Sequence, residues 1–452
     1  MKLSLTSKEL LEGNIYKGLI KLILPLILLG VINTIYGFAD ALFISKIDEL
    51  QVGVVSLINP ITNCGIAFST GLSAAAVAII ARLIGENNKE KASKVATDIF
   101  VLAIIIGIIL TALSLIFSNQ ILNWLQTPED IFIYTKRYFI GISLDYGFMF
   151  VLTMFQAIKQ ACGDSKSGVR ANIIAAVLNV IFDPIFILVL NMGTFGAAID
   201  NVIAKAIVAP FAIKELLNNQ EFSINLKGYK TDYENYINIM RIALPASLGH
   251  FLSSFGFVLM SKEVVSYGSI VMSGYGIGSN VASIFYIPID TIGPALSTFI
   301  GQNLGAKNTK RAHECFKSAM ILVSAISAIV ILLGLLTSKY AIQIFTSTAS
   351  DRLIELSLEY TKYSLLTCFF MGWFDSLSGL YNGSGNTKIS MILSSSRILF
   401  IRMPIVYLLA KYTNLQYVGI WYAMIISNVI TCSIGQMIYF TYPWDKKQIS
   451  VK

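Results

Sequence analysis

The sequence predicts an all-α membrane protein with twelve transmembrane helices, arranged in two six-helix, pseudo-symmetric lobes. Three observations predict this class. The 452 residues are 55% hydrophobic and only 13% charged, with a mean hydropathy of +0.69, whereas a soluble chain is about one-quarter charged. Apolar runs long enough to span a bilayer recur along the chain, and the second half repeats landmarks of the first.

Twelve apolar runs reach roughly 20 residues, the length at which a helix crosses a bilayer. They lie at 18–43, 54–80, 95–117, 132–157, 168–191, 194–214, 238–261, 270–298, 315–337, 355–381, 389–410 and 417–441. Lysine and arginine cluster before the first run and after each even-numbered run. Because cytoplasmic loops are enriched in these residues, we expect a multi-pass plasma-membrane protein with both termini in the cytoplasm.

The two halves of the chain carry the same landmarks in the same order, mostly at an offset of 220 residues. The recurring positions are Pro25 and Pro245, the glycine turns 85–92 and 305–312, Gly163 and Gly385, and Pro184 and Pro404. Two halves in the same orientation are expected to enclose a substrate path between them. The polar stretch 216–237 is interpreted as a cytoplasmic linker, which divides the chain into an N-lobe at 1–215 and a C-lobe at 238–452.

The fifth apolar run contains the strongest candidate site. Asn179 and Asp183 are four residues apart and therefore share one face of a helix. Pro184 has no N–H, so it breaks a backbone hydrogen bond, frees the carbonyl of Val180 and is expected to act as a hinge. Placing such an oxygen-rich pocket in the hydrocarbon of a membrane costs free energy, so we interpret it as a functional site. Burial disfavours the charged carboxylate, so Asp183 is expected to take up a proton or to hold Na⁺.

Other polar residues of the first half fall at a similar depth by span counting. Asp40 and Asn201 are expected to converge with Asn179 and Asp183 in the outer half of the N-lobe. Asp200 lies about 100° around the helix from Asn201, so a structural role is equally expected. Asp145 lies deeper in the fourth run, and its role is left open between structure and function.

Lys205 lies mid-span, four residues from Asn201 and on the same helix face. If Lys205 faces the pocket, its positive charge favours the ionised form of Asp183 and repels Na⁺. Coupling to protons is then the favoured interpretation over coupling to sodium. The alternative is that its side chain extends toward the cytoplasm.

The second half lacks the acid, because Met403 stands at the position that corresponds to Asp183. Its deep charges are Asp290, Asp375, Arg397 and Arg402, and a structural ion pair is the favoured interpretation, with a site as the alternative. His250 is able to titrate near neutral pH, or it serves as a packing hydrogen bonder. Candidate substrate contacts are His250, Asp290, Tyr36, Phe38, Phe68, Tyr146, Met149, Phe155, Phe255, Phe285 and Tyr286, since aromatic and methionine surfaces adapt to varied ligands.

Several classes of function are disfavoured. Five scattered cysteines without C-x-x-C spacing do not predict a metal site or a disulfide framework. The sequence contains no G-x-x-x-x-G-K-[ST] loop, so ATP binding is not indicated. Its two histidines are not accompanied by an acidic or cysteine cluster, so an enzyme is not predicted. The basic residues lie between apolar runs, so nucleic acid is not an expected partner. We expect a monomer among membrane lipids, with a small organic substrate and no cofactor beyond a coupling ion.

Five motifs carry a family resemblance across essentially the whole chain. They are Phe38-Ala-Asp-Ala-Leu-Phe-Ile44, Gly85-Glu-Asn-Asn-Lys-Glu-Lys-Ala92, Gly163-Asp-Ser-Lys166, Asn179-Val-Ile-Phe-Asp183-Pro184 and Gly196-Ala-Ala-Ile-Asp-Asn201. In order and spacing they resemble the multidrug and toxic compound extrusion (MATE) transporters, a branch of the superfamily that also contains lipid and polysaccharide flippases.

The resemblance implies a secondary antiporter of twelve helices that exchanges H⁺ or Na⁺ for an amphipathic, often cationic, organic compound by alternating access. It implies that Asp40, Asn179 and Asp183 form the cation site of the first lobe. Asn201 stands where relatives usually have threonine, and Lys205 departs from the family pattern. The alternative function is export of a lipid-linked saccharide or a dedicated metabolite, which an arginine-rich cleft would favour.

Overall fold

The computed structural model describes residues 5–45, 49–125, 127–218, 223–226, 229, 231–345 and 350–446, without the side chains of 38–42, 44, 45, 49–53, 56, 60, 344 and 345. The side chains of Phe38 and Asp40, two of the predicted site residues, therefore lie outside the described part. The described helices are α1 (Ser7–Glu12), α2 (Ile15–Ser45), α3 (Glu49–Gly85), α4 (Lys89–Ile116), α5 (Ser118–Trp124), α6 (Glu129–Ala161), α7 (Ser165–Asp183), α8 (Gly193–Leu217), α9 (Tyr233–Val265), α10 (Ser269–Asp290), α11 (Ile292–Gly305), α12 (Thr309–Phe345), α13 (Asp351–Gly383), α14 (Thr387–Ser395), α15 (Met403–Tyr412) and α16 (Val418–Thr441).

These helices form two lobes of six spanning segments. The first lobe contains α2, α3, α4, α6, α7 and α8, and the second contains α9, α10 with α11, α12, α13, α14 with α15, and α16. Eleven of the described segments are long and apolar enough to cross a membrane. The remaining predicted run, 355–381, lies within α13, whose charged residues include Asp351, Glu355 and Asp375.

The predicted run 270–298 is not one straight helix. It is divided at Thr291, where α10 ends and α11 begins. Pro288 and Pro294 flank the break, and the hydroxyl group of Thr291 donates a hydrogen bond of 2.9 Å to the carbonyl of Pro288. Since proline removes helical hydrogen bonds, the two prolines account for the change in direction. The break places Asp290 at a helix end.

The internal duplication is visible in the geometry of equivalent turns. Asn87 and its counterpart Lys307 both adopt the left-handed backbone conformation, with φ of 56° and 58°. The side chains of Asn88 and Asn308 cap the following helices, each accepting a hydrogen bond of 3.1 Å from the backbone N–H three residues later. Asparagine is a preferred helix N-cap because its side-chain oxygen satisfies a free N–H. The two turns are therefore built alike.

The fifth spanning helix of each lobe is interrupted next to the proline that the internal repeat equates, after Asp183 in the first lobe and before Pro404 in the second. In the first lobe α7 continues as the π-helix Pro184–Val189, and in the second α14 continues as the π-helix Ser396–Arg402. Pro184 and Pro404 lie at these breaks, which agrees with their missing N–H groups. π-Helical segments within α-helices are frequent at functional sites, so both breaks mark places to search for one.

The lobes contact each other at the end that carries the glycine turns, which is the predicted cytoplasmic end. A Cβ atom added at Gly85 would lie 2.0 Å from the carbonyl oxygen of Gln302, and one added at Gly305 would lie 2.0 Å from that of Arg82. These two approaches are related by the 220-residue offset. Glycine is required at both positions because the backbones of α3 and α11 meet there without room for a side chain.

The N-terminal helix α1 bridges the two lobes at the same end. The N–H of Leu5 donates a hydrogen bond of 3.0 Å to the carbonyl of Gly163 in the first lobe. The guanidinium group of Arg311, at the start of α12 in the second lobe, donates to the carbonyls of Leu10 and Gly13. The side chain of Leu10 is fully buried. Helix α1 is therefore packed into the base of both lobes.

Polar contacts also attach the connection between α8 and α9 to the first lobe. The buried carboxylate of Asp98 on α4 accepts hydrogen bonds from the hydroxyl group of Tyr229 at 2.7 Å and the amide of Asn235 at 2.9 Å. Lys94 and Asp232 form an ion pair of 2.9 Å nearby. Both oxygens of Asp98 thus accept hydrogen bonds, so a structural role accounts for the burial of this acid.

Candidate functional site

A buried cluster of an amide and two carboxyl groups lies between α7 and α8. Asn179, Asp183 and Asp200 are 2%, 0% and 0% exposed. The amide nitrogen of Asn179 donates a hydrogen bond of 3.0 Å to Oδ1 of Asp200. Asn179 and Asp183 share one face of α7 because they are one helical turn apart, and that face is directed at α8. Of the two roles left open for Asp200 in the sequence, this contact favours a place in the site.

The cluster offers oxygen atoms without hydrogen-bond donors. Asp183 faces Asp200 closely enough for one carboxyl group to donate a hydrogen bond to the other when it is protonated. Both oxygens of Asp183 and Oδ1 of Asn179 have no other hydrogen-bond partner among the described residues. Buried acceptors without donors are costly, and either a proton or Na⁺, which is coordinated by oxygen atoms, would relieve this cost.

Asn201 is not directed at Asp183. Its amide group donates hydrogen bonds of 2.8 Å to the hydroxyl group of Tyr36 on α2 and of 3.0 Å to the carbonyl of Ala197. Asn201 and Tyr36 therefore connect α8 with α2 beside the cluster. Asp40 lies on the same α2 helix, and the relation of its side chain to Asp183 is outside the described residues.

Lys205 forms an ion pair with Asp145 on α6. The side chains of Lys205 and Asp145 are 24% and 12% exposed, so the pair is largely enclosed in the first lobe. The contact gives Lys205 a partner that neither sequence alternative named, since those were a position facing Asp183 and an extension toward the cytoplasm. The spacing along α8 places Lys205 on the face of Asn201, and α6 supplies the acid that it contacts. The partner also gives Asp145 a structural explanation.

A cavity of about 550 Å³ lies between the lobes. Helices α2, α3 and α6 line it from the first lobe, and α9, α10, α11 and α13 line it from the second. Its polar side chains are Asn33, Thr70, Ser73, Gln156, Gln160, His250, Asp290, Thr291, Ser297, Asp375, Ser378 and Asn382. The position is the one that the duplication predicts for a substrate path.

The predicted aromatic substrate contacts whose side chains the structure describes do not line this cavity, and their role in substrate binding stays a prediction. His250 and Asp290 line the cavity, but no aromatic side chain does among the described residues. The cavity's lining does not include Tyr36, Phe68, Tyr146, Met149, Phe155, Phe255, Phe285 or Tyr286, and Tyr286 instead lines a second cavity inside the second lobe. Tyr146 and Phe155 are 3% and 1% exposed and belong to the packed interior of the first lobe. Residue type alone does not distinguish an aromatic side chain in the core from one in a cleft.

The deep charges of the second lobe do not form the expected ion pair. Asp290 and Asp375 lie close enough to hydrogen-bond to each other, and Arg397 acts on both electrostatically. None of the ion pairs between described residues joins Arg397 to either acid within 4.0 Å. The guanidinium group of Arg397 instead lies over the ring of Phe374, 4.4 Å from its centroid. Asp290 and Asp375 consequently face the cavity between the lobes.

Two six-helix lobes, a break in the fifth spanning helix of each lobe and a polar cavity between the lobes are characteristic of a membrane transporter. The MatE family model matches residues 25–185 and 245–408, one stretch in each lobe. The chain belongs to the MatE family, whose members are transporters and not enzymes. Its two matched stretches begin at Pro25 and Pro245, the positions that the internal repeat equates.

Individual relatives agree with this assignment over nearly their full lengths. The probable multidrug resistance protein NorM of Thermotoga maritima is 26% identical over 441 residues, which is 96% of this chain and 94% of the relative. An outward-facing structure of a multidrug resistance MATE family transporter of the MOP superfamily has a TM-score of 0.91 at 21% identity, covering 99% and 98% of the two chains. A MOP superfamily transporter from Pyrococcus furiosus, described as having a binding pocket of reverse polarity that suggests a different function, has a TM-score of 0.92 at 21% identity, covering 98% and 100%. The twelve-helix, two-lobed fold predicted from the sequence is confirmed.

Proposed function

We propose that the protein is a secondary antiporter that exports amphipathic organic compounds in exchange for H⁺ or Na⁺. The observation that carries the proposal is the buried cluster of Asn179, Asp183 and Asp200 at the break in α7. Acceptor oxygens without donors, enclosed at a helix break, form a site whose stability changes when a cation arrives or leaves. The relatives named as multidrug resistance proteins supply the expected class of substrate.

Coupling follows from the position of the cluster. Without a cation, the acids of Asp183 and Asp200 repel each other across the contact between α7 and α8, if both are ionised. A proton or Na⁺ removes that repulsion and lets the two helices approach. Because Pro184 starts a π-helix rather than continuing the α-helix, the segment Pro184–Val189 beyond the break is the part that can bend relative to α7. A coupling free energy of about 1–3 kcal/mol is typical of linked sites.

The conformation of the described residues corresponds to one state of the proposed transport cycle. The lobes meet at Gly85 and Gly305, and α1 bridges them at the same end. In the orientation with both termini in the cytoplasm, this conformation is closed toward the cytoplasm. Export then requires the contacts at Gly85 and Gly305 to open on the inward-facing side of the cycle.

The composition of the cavity between the lobes favours a cationic substrate. Asp290 and Asp375 line it, and no arginine or lysine does in the part of the chain that the structure describes. A flippase for a lipid-linked saccharide, the alternative, is expected to have arginine in this cleft, and Arg397 and Arg402 lie inside the second lobe instead. We further propose a monomer in the plasma membrane, surrounded by lipid.

The test is movement of a fluorescent amphipathic cation in proteoliposomes that contain the purified protein. Separate samples receive a Na⁺ gradient, a proton gradient, or a K⁺ gradient as the control. We expect either the Na⁺ or the proton gradient to drive the dye against its concentration gradient, and the K⁺ gradient to have no effect. Dye movement that follows its own gradient under all three conditions would contradict antiport.

A further inference from the structure

A buried pair of arginines lies at the helix break of the second lobe. Arg397 and Arg402 are 5% and 2% exposed, and both belong to the π-helix Ser396–Arg402. Nη2 of Arg402 lies 3.1 Å from Oδ1 of Asn428, and Nη1 of Arg397 lies 3.4 Å from the same oxygen. Two cations thus converge on one neutral amide group, which balances the charge of neither.

Strong acceptors for these guanidinium groups are scarce. Each guanidinium group has five N–H donors, and Nε of Arg397 has no hydrogen-bond partner. Arg402 has one further oxygen acceptor, the hydroxyl group of Ser427 at 3.0 Å. The remaining hydrogen bonds are with the sulfur atoms of Met371 and Met260, and sulfur is a weak acceptor. The rings of Phe374 and Phe257 lie over the two guanidinium groups but accept no conventional hydrogen bond. Several donors of both arginines are therefore free for another ligand.

The nearby acids do not balance both positive charges. Asp290 and Asp375 are the carboxyl groups that act on Arg397, and they lie within hydrogen-bonding reach of each other. A hydrogen bond between two carboxyl groups requires one proton, so the pair contributes one negative charge against two positive charges. An uncompensated charge in a protein interior is costly. The balance requires one more negative charge at this place.

The space for such a group is present. A cavity of about 250 Å³ is lined by Arg397, Arg402 and Asn428. Hydroxyl groups surround it, from Ser279, Ser283, Tyr286, Tyr360, Ser364 and Thr367. A water molecule occupies about 30 Å³ of liquid, so the cavity accommodates a halide or a carboxylate together with water. Asp290 lines both this cavity and the one between the lobes, so the two spaces adjoin at that residue.

We propose that this C-lobe cavity binds a singly charged anionic group between Arg397 and Arg402. The group is either a free anion such as chloride or the carboxylate of a transported compound. Both sources share the same chemistry, because an anion accepts charge-assisted hydrogen bonds from two guanidinium groups. The second source rests on the proposed transport function; the first does not.

The binding test uses purified full-length protein in detergent, titrated with potassium bromide and, separately, with potassium acetate, because K⁺ is not a proposed ligand of the Asp183 cluster. The expected result is a saturable rise of the melting temperature, since a ligand that binds only the folded state stabilises it. Arg402→Gln should abolish the saturable part, and Arg402→Lys should retain part of it. Arg241→Gln is the matched control, because Arg241 lies on α9 outside this cavity. An equal anion-induced rise of the melting temperature in wild type and Arg402→Gln would overturn the proposal.

A crystal soaked in bromide gives a second readout that does not depend on the folding of a variant. An anomalous peak between Arg397 and Arg402 would support the site. An empty cavity at a bromide concentration that saturates the melting-temperature response would refute it, because the response would then arise elsewhere.

A transport test separates the two sources. If the group belongs to a substrate, Arg402→Gln should raise the KM for a carboxylate-bearing dye by on the order of 10-fold or more, the loss expected for a hydrogen bond to a charged group. Its KM for a permanently cationic dye should stay unchanged. If the group is a free anion, replacing chloride should change transport of both dyes equally. Failure of all transport with anion binding intact would reject the proposed function and leave the anion site standing.

Discussion

Asn179 on α7 donates a hydrogen bond of 3.0 Å to Asp200 on α8, and this bond places a second buried carboxyl group beside Asp183. The sequence shows the first acid clearly, since a Pro follows it in an apolar run. The second acid becomes part of the site only when α7 and α8 are packed together. The cluster therefore has two titratable carboxyl groups in its described part, and both are expected to influence ion coupling.

Replacing Asp200 should impair coupling without unfolding the protein. In Asp200→Asn the side-chain oxygen still accepts the hydrogen bond from Asn179, but one carboxylate of the cluster is lost. We expect gradient-driven dye export to fall at least about tenfold, the effect of roughly 1.4 kcal/mol in coupling. Export is measured in proteoliposomes. Asp200→Ala is the comparison: it also leaves the Asn179 amide without its acceptor and should lower the melting temperature further. Wild-type export by Asp200→Asn would remove Asp200 from the site.

Lys205 should act on stability rather than on ion selectivity, because its partner is Asp145. Lys205→Met leaves a largely buried carboxylate without its cation and should destabilise the protein by about 3 kcal/mol. Asp145→Leu combined with Lys205→Met should recover most of this loss. The measurement is a double-mutant cycle of unfolding midpoints.

The surface pair of Arg352 and Glu355, 53% and 66% exposed, supplies the control for that cycle. Its coupling should be below about 1 kcal/mol, as for exposed ion pairs. A changed preference between Na⁺ and H⁺ in Lys205→Met would indicate, against this account, that Lys205 acts on Asp183.

The glycine contacts at the predicted cytoplasmic end should be intolerant of a methyl group. In Gly305→Ala the new Cβ would lie 2.0 Å from the carbonyl oxygen of Arg82, so α3 and α11 must separate. We expect a melting temperature several degrees lower than that of wild type. Gly276→Ala, whose Cβ would meet nothing within 4 Å, serves as the control for the change in helix propensity. Identical melting temperatures for the two variants would argue against close contact of the lobes.

Helix α1 should loosen when its attachment to the second lobe is removed. Arg311→Ala loses the hydrogen bonds to the carbonyls of Leu10 and Gly13. Deuterium uptake in residues 5–13 should become faster, because local opening sets the exchange rate. Lys310→Ala, which changes an exposed neighbour, should leave uptake as in wild type. Equal protection in both variants would mean that Arg311 does not hold α1.

Much of the fold could be predicted from the sequence because a bilayer imposes strict rules. Backbone groups must be satisfied within each span, so length and hydropathy locate the helices. The 220-residue repeat then fixes two equivalent lobes, and the breaks at Pro184 and Pro404 follow from the missing N–H of proline. Helix α1 was not predicted, since its bridging role depends on contacts with turns far away in the chain.

The candidate site was less predictable, for a geometric reason. Helical spacing tells which residues share a face, but it does not tell which neighbouring helix that face meets. Lys205 was correctly placed on the face of Asn201, yet α6 provides its partner. Likewise Arg397 meets the ring of Phe374 and Asn428 rather than an acid. Small polar residues such as Thr70 and Gln156 line the cavity, and nothing in their residue type distinguishes them from polar residues in ordinary helix packing.

The central claim is that the Asp183 cluster couples cation movement to export. The most direct measurement compares Asp183→Asn with wild type in two assays on the same proteoliposomes: gradient-driven uphill export and dye exchange at equilibrium. The account predicts that Asp183→Asn loses uphill export but still exchanges dye, whereas Asp130→Asn, at an exposed acid, retains both. Uphill export by Asp183→Asn at the wild-type rate, with the same ion dependence, would contradict the account.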